Sequence, residues 1–122
     1  MDKAIADYSK VIQFRSDNAY PFIGRACLYI KKGDDKAIAD CTESIRLKSN
    51  FAAAYNCRAS AFLRKGNIDN AIADATEAIR LAQKNSVFYE TRSSAYAIID
   101  SLPNDFMDNP GKYLPGQAVQ KK

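Results

Sequence analysis

Apolar positions return every third or fourth residue along most of this chain, and the pattern is written several times over. Lys3-Ala4-Ile5-Ala6-Asp7 reappears as Lys36-Ala37-Ile38-Ala39-Asp40 and again as Asn70-Ala71-Ile72-Ala73-Asp74. The residues Ala4, Ala37 and Ala71 stand 33 and then 34 apart. The residues just C-terminal to each phrase recur as well, Thr42-Glu43-Ser44-Ile45-Arg46-Leu47 against Thr76-Glu77-Ala78-Ile79-Arg80-Leu81, with 9–14 as a looser copy. Ala71, Ala75, Ala78 and Ile79 show the spacing plainly, and it predicts a helix of about fourteen residues for each copy. A second block precedes each complete copy. Phe22, Arg25, Ala26 and Tyr29 keep the spacing of Tyr55, Arg58, Ala59 and Phe62, and of Tyr89, Arg92, Ser93 and Tyr96. An aromatic, a small residue four later and an aromatic three beyond share one helical face. The small residue admits a neighbouring helix closely.

These periods predict paired helices. The aromatic block gives helix A at about 20–32, 53–65 and 86–100, and the alanine-rich block gives helix B at about 2–14, 35–48 and 68–82. Gly33 and Gly66 end two of the A helices, where a left-handed cap suits glycine, and Asp34 and Asn67 suit the start of the next helix. Neither helix of a hairpin can bury its apolar stripe alone, so stacking must complete the core. The expected fold is all-α, a stack of antiparallel helix hairpins.

In Tyr55, Ala59, Phe62, Gly66, Ala71, Ile72, Ala78 and Leu81 the chain resembles the tetratricopeptide repeat family. Phe22, Ala26, Tyr29, Gly33, Ala37, Ile38, Ser44 and Leu47 carry the resemblance a second time, and together it covers about residues 2–100. Two departures soften the turns. Ser16, Ser49 and Gln83 stand where the family usually has proline, and the turn Gly33-Asp34-Asp35-Lys36 is one residue short. The resemblance implies a right-handed superhelical solenoid of about three repeat equivalents. They divide as a half repeat 2–18, full repeats 19–51 and 52–85, and a half repeat 86–100, with a tail at 101–122.

The same resemblance implies a protein–protein interaction scaffold whose A helices line a concave face that holds an extended peptide. On this chain that face would present Ile23, Cys27 and Ile30, then Asn56, Ser60, Leu63 and Arg64, then Glu90, Ser94 and Ala97. Ile23, Ile30 and Leu63 serve equally well as satellite core. Co-chaperones of this family clamp a chaperone's C-terminal carboxylates with Lys, Asn, Asn, Lys and Arg. The corresponding positions here read Ile23, Cys27, Cys57, Val87 and Thr91, which lack the charge-assisted donors such a carboxylate needs. No carboxylate clamp is expected.

Composition narrows the function classes. Hydrophobic residues make up 47% and charged residues 26%, an ordinary globular balance. No apolar run approaches the length that spans a bilayer, and Met1-Asp2-Lys3-Ala4 lacks a signal-peptide layout. The net charge of +4 raises nucleic acid as a partner, but the basic residues are interleaved with acids, as at Glu77-Ala78-Ile79-Arg80, which argues for solvated helix faces instead. Histidine is absent, so the usual general base is missing, and no glycine-rich phosphate loop occurs; an enzyme is not expected. Cys27, Cys41 and Cys57 form no C-x-x-C pair and fall one ligand short of a structural zinc site, so no metal or cofactor is expected. An odd number of cysteines without a secretory signal points to the cytoplasm. Cys27 and Cys57 are either reactive thiols facing the groove or small apolar fillers, the second being commoner.

Arg25, Arg58 and Arg92 share one register position, and Asp7, Asp40 and Asp74 share another. They either bind an acidic ligand or form a ladder of ion pairs between A and B helices, and ionised groups beside a core favour the ladder. The array is also cut at both ends. Pro103, Asn109-Pro110-Gly111 and Leu114-Pro115-Gly116 break any helix in the tail, whose Leu102, Phe106, Met107, Tyr113 and Leu114 are nonetheless apolar. The tail is expected to cap the last helix or fill the groove. The alternative is a structural, self-associating segment, part of a longer array or an end-to-end homodimer rather than a monomer.

Overall fold

Asparagine side chains start three of the helices. Asn18 Oδ1 accepts the Tyr20 N–H at 3.0 Å, Asn85 Oδ1 accepts that of Val87 at 3.0 Å, and Asn67 Oδ1 accepts that of Asn70 at 3.4 Å. Each satisfies one of the amide donors that a helix leaves open at its start. The computed structural model describes residues 1–101, and these form six α-helices with no strand. They are α1 (Asp2–Phe14), α2 (Ala19–Lys32), α3 (Lys36–Leu47), α4 (Ala52–Arg64), α5 (Ile68–Leu81) and α6 (Ser86–Asp100). Every bound lies within one residue of the span read from the apolar spacing.

Both glycine turns close in the same way. Gly33 (φ 70°) and Gly66 (φ 81°) are left-handed, and the amides after them, of Asp34 and Asn67, return to the carbonyls of Tyr29 and Phe62 at 2.9 Å. That 6→1 bond satisfies a carbonyl the helix would otherwise leave open.

Successive helices pack on one another, and α2 also touches α4, as α4 touches α6. Among the described residues α1, α3 and α5 make no such contacts with each other. The seam is built of small residues: Ala26, Ala59, Ala71, Ala75 and Ala78 are wholly buried, and Ala37 nearly so. Short side chains let helix axes approach closely and trade area per residue for dense packing. Phe22, Ile68, Ile79 and Phe88 supply the larger buried surfaces, each worth about 1.5–3 kcal/mol. Ser44, fully buried in α3, donates to the Ala19 carbonyl at 2.9 Å and ties the start of α2 to α3. On α1 the Tyr8 ring lies against Gly24, so close that a Cβ there would fall 2.5 Å from the ring.

The expected capping role of the tail falls on residues 102–122, outside the described residues.

Candidate partner-binding face

Each A helix places its arginine over the aromatic three before it, and in α2 and α6 also over the aromatic four after it. The Arg25 guanidinium lies over Phe22 and Tyr29, Arg58 over Tyr55, and Arg92 over Tyr89 and Tyr96, at 5.7–6.0 Å from the ring centres. Held there, Arg25 donates from Nε and Nη2 to Asp40 at 2.8 and 2.7 Å, and Arg58 does the same to Asp74 at 2.7 and 2.9 Å. Hydrogen bonds to the two carboxylates are the chief cause that raises both guanidinium pKa values above their ordinary range. The remaining nitrogen of each reaches one helix back, Arg25 to Ser9 Oγ at 3.0 Å and Arg58 to Thr42 Oγ1 at 3.2 Å. Every guanidinium nitrogen of these two arginines is therefore engaged within the protein, which argues against an acidic ligand there.

The third rung differs. Arg92 donates to Thr76 Oγ1 at 3.3 Å and meets no carboxylate among the described residues. Asp7 is exposed and has no arginine partner among them.

The residues expected on the ligand face fall into separate groups. Ile23 and Ile30 are half-buried and pack against the cluster of Ala26, Ala37, Cys41, Cys57 and Ala61. Leu63 belongs elsewhere, partly buried against Ile68 and Ala95 together with Ile72, Ile98 and Ile99, between α4, α5 and α6. Ile30 and Arg64 line one cavity of about 120 Å³, with Ala37, Ile38 and Ala61 as its apolar wall and Asp34, Asp35 and Lys65 at its rim. Lys65 and Asp35 approach to 3.6 Å across that rim, while Arg64 is exposed. Asn56 and Ser60 are half-buried, and the Asn56 Oδ1 is buried without a hydrogen-bond partner among the described residues. Glu90, Ser94 and Ala97 are exposed on α6, with the Ser94 hydroxyl donating to the Glu90 carbonyl at 3.0 Å. As α2 and α6 do not touch, α4 alone bridges the two ends of this face.

At the five positions corresponding to a carboxylate clamp, Cys27 and Val87 are exposed, Ile23 and Thr91 half-buried, and Cys57 buried. The Thr91 hydroxyl is engaged with the Val87 carbonyl at 3.1 Å. Cys27 and Cys57 meet, Sγ to Sγ at 3.9 Å. The spacing of residues did not foretell that contact, nor the cavity wall formed by Ala61. A signal for Ala61 existed: it lies two residues after Ala59, hence on nearly the opposite side of α4. Among the described residues no group of three or more His, Cys, Asp or Glu could hold a metal ion.

A family model described as "Tetratricopeptide repeat" matches residues 52–85, the stretch that holds α4 and α5. Solved structures match over most of the chain. One, described as the first TPR of Spaghetti (RPAP3) bound to the HSP90 peptide SRMEEVD, is 22% identical, covers 82% of this chain and 80% of that one, and has a TM-score of 0.77. The Arabidopsis OM64 TPR domain is 23% identical over 79% of this chain and 80% of that one, with a TM-score of 0.74. The second TPR domain of human RPAP3, in complex with the HSP70 peptide SGPTIEEVD, is 26% identical over 75% of this chain and 78% of that one, with a TM-score of 0.71. No curated protein matches the chain in sequence.

Proposed function

We propose that this chain, which carries a tetratricopeptide repeat at residues 52–85 and the tetratricopeptide-repeat fold across its helices, binds a segment of another protein on the face lined by α2, α4 and α6. The carrying observation is the packing asymmetry: these three helices touch in sequence while α1, α3 and α5 do not. A stack whose one row of helices is closer together than the other curves toward the closer row, which supports reading that row as the concave side. Similar structures whose descriptions name a bound HSP90 or HSP70 peptide support a peptide as the ligand class.

The ligand itself should differ from those. With Ile23, Cys27, Cys57, Val87 and Thr91 at the clamp positions, a terminal carboxylate would be desolvated against neutral groups. The face favours an internal peptide segment with an apolar side chain for the cavity beside Ile30 and polar groups for Asn56 and Arg64. The role is binding rather than catalysis, in the cytoplasm, and the spread of basic residues speaks against nucleic acid. No described helix is long and apolar enough to cross a membrane.

The test is a peptide-display selection against the chain, then titration calorimetry of the selected peptides and of SRMEEVD. Selected peptides should lose tenfold or more in affinity to Asn56→Ala with Arg64→Ala, and SRMEEVD should not bind. Low-micromolar SRMEEVD binding, or selected peptides indifferent to those substitutions, would overturn the reading.

A second reading, self-association through the end helices, has its own support. Val11 and Phe14 on α1, and Tyr89 and Tyr96 on α6, are exposed large apolar side chains, Phe14 at 77%. Sedimentation over a hundredfold concentration range separates a monomer from a dimer.

A further inference from the structure

Cys27 on α2 and Cys57 on α4 come from directly packed helices, and their sulfurs stand 3.9 Å apart. Cys27 is exposed and Cys57 buried, with the Cys41 thiol of α3 also against Cys57 in the same cluster. One sulfur open to reagents with a second in reach of it is the arrangement of an attacking and a resolving thiol. We propose that Cys27 and Cys57 are a redox modification site, forming a reversible intrachain disulfide with low-molecular-weight disulfides as the oxidant.

The electrons and atoms balance in two exchanges. The Cys27 thiolate attacks one sulfur of the small disulfide, forming a mixed disulfide at Cys27 and releasing one small thiolate, which takes up the proton Cys27 lost. The Cys57 thiolate then attacks Cys27 Sγ, forming the protein disulfide and expelling the second small thiolate, which takes up the proton from Cys57. Two protein thiols are oxidised and one small disulfide is reduced to two thiols. The sulfurs must close from 3.9 Å to about 2.05 Å.

The surroundings set the pace. A hydrogen bond with Cys57, then burial, raises the Cys27 thiol above its ordinary range, against a smaller opposing pull from Lys31. The Cys57 thiol is pulled down by its bond with Cys27, but its bond with Cys41, burial and nearby Asp40 outweigh that and push it up to about 12. Thiolate is therefore scarce at neutral pH, so the first exchange is slow. Cys41, wholly buried, has no route to a solvent-borne reagent.

A bond between α2 and α4 would fix the spacing of two helices of the proposed ligand face. That consequence rests on the binding reading; the disulfide does not, so an intact linkage with unaltered peptide binding would count against the binding reading alone. The test incubates the 122-residue chain with 2-hydroxyethyl disulfide at pH 8, with intact mass and tryptic mapping as the readouts. Expected are the loss of two hydrogens with no retained adduct, a linked peptide pair 26–31 with 49–58, reversal by a reductant, and a Tm raised by roughly 10 °C. Cys57→Ser should instead trap the mixed disulfide at Cys27, and Cys41→Ala should oxidise like the parent. Three free thiols in the parent, a stable adduct on it, a link through Cys41 or an interchain dimer would each overturn the proposal. The mapping of the unsubstituted chain decides even where a variant fails to fold.

Discussion

Arg25 holds Asp40 at two points, Nε to Oδ2 and Nη2 to Oδ1, and so binds α2 to α3 through a pair whose side chains are only 19% and 8% exposed. Arg58 and Asp74 repeat the grip one hairpin later at 22% and 10% exposure. Two planar bonds fix geometry as well as charge, and the aromatic ring or rings beside each guanidinium add to its desolvation. A pair so placed adds little over a well-packed apolar pair, but losing one partner strands a buried charge.

Removing Asp40 should therefore cost far more than removing its register mate Asp7. Asp40→Ala is expected to lose about 3 kcal/mol by urea denaturation, and Asp7→Ala to stay within about 0.5 kcal/mol. Equal losses would refute the burial argument. Raised guanidinium pKa values give stability that is complete below the ordinary arginine range and lost only as pH rises through the raised values. The arginines thus contribute no pH dependence across the ordinary range.

Acid sensitivity has a different source. Glu43 and Glu77, each hydrogen-bonded to the arginine three residues on, have pKa values below the usual 4.5. A depressed carboxylate stabilises the fold above its unfolded pKa and loses that contribution as pH falls through its folded pKa. A small decline in Tm below pH 4.5 is expected, flattened in Glu43→Gln with Glu77→Gln and also by molar salt, since the arginine of each pair is exposed. A decline unchanged in the double variant would assign the acid sensitivity elsewhere.

Gly33 and Gly24 should fail for opposite reasons. At Gly33 nothing lies within 4 Å of an added Cβ, but φ is 70°, so Gly33→Ala should cost about 1 kcal/mol from backbone strain, with Gly33→Asn costing less. At Gly24 the backbone is helical and an alanine would strike the Tyr8 ring, so Gly24→Ala should loosen α1 in particular. Hydrogen exchange by residue distinguishes them: faster exchange confined to α1 is expected only for Gly24→Ala.

Asn56 sets stability against binding. Its buried Oδ1 lacks a partner among the described residues, so Asn56→Leu should stabilise the free chain by about 1 kcal/mol while weakening any selected peptide. A destabilised Asn56→Leu would show that the amide contributes through its packing or its N–H groups.

The helices were legible in the residues because an amphipathic period of three to four is local: Ala71, Ala75, Ala78 and Ile79 carry it within three turns, and Gly33 and Gly66 mark turns that almost any other residue would strain. The same local period explains why Leu63 read equally well as ligand contact and as core. A helix says which face a residue occupies, and only the neighbouring helices say what covers that face. The packing of α5 and α6 draws Leu63 into a cluster with Ile68 and Ala95. It likewise separates Asp40 from Asp7 and leaves the Asn56 oxygen unpartnered. Cys27 and Cys57, thirty residues apart, meet only because α2 packs directly on α4, a contact between next-nearest helices that no periodicity within one helix encodes.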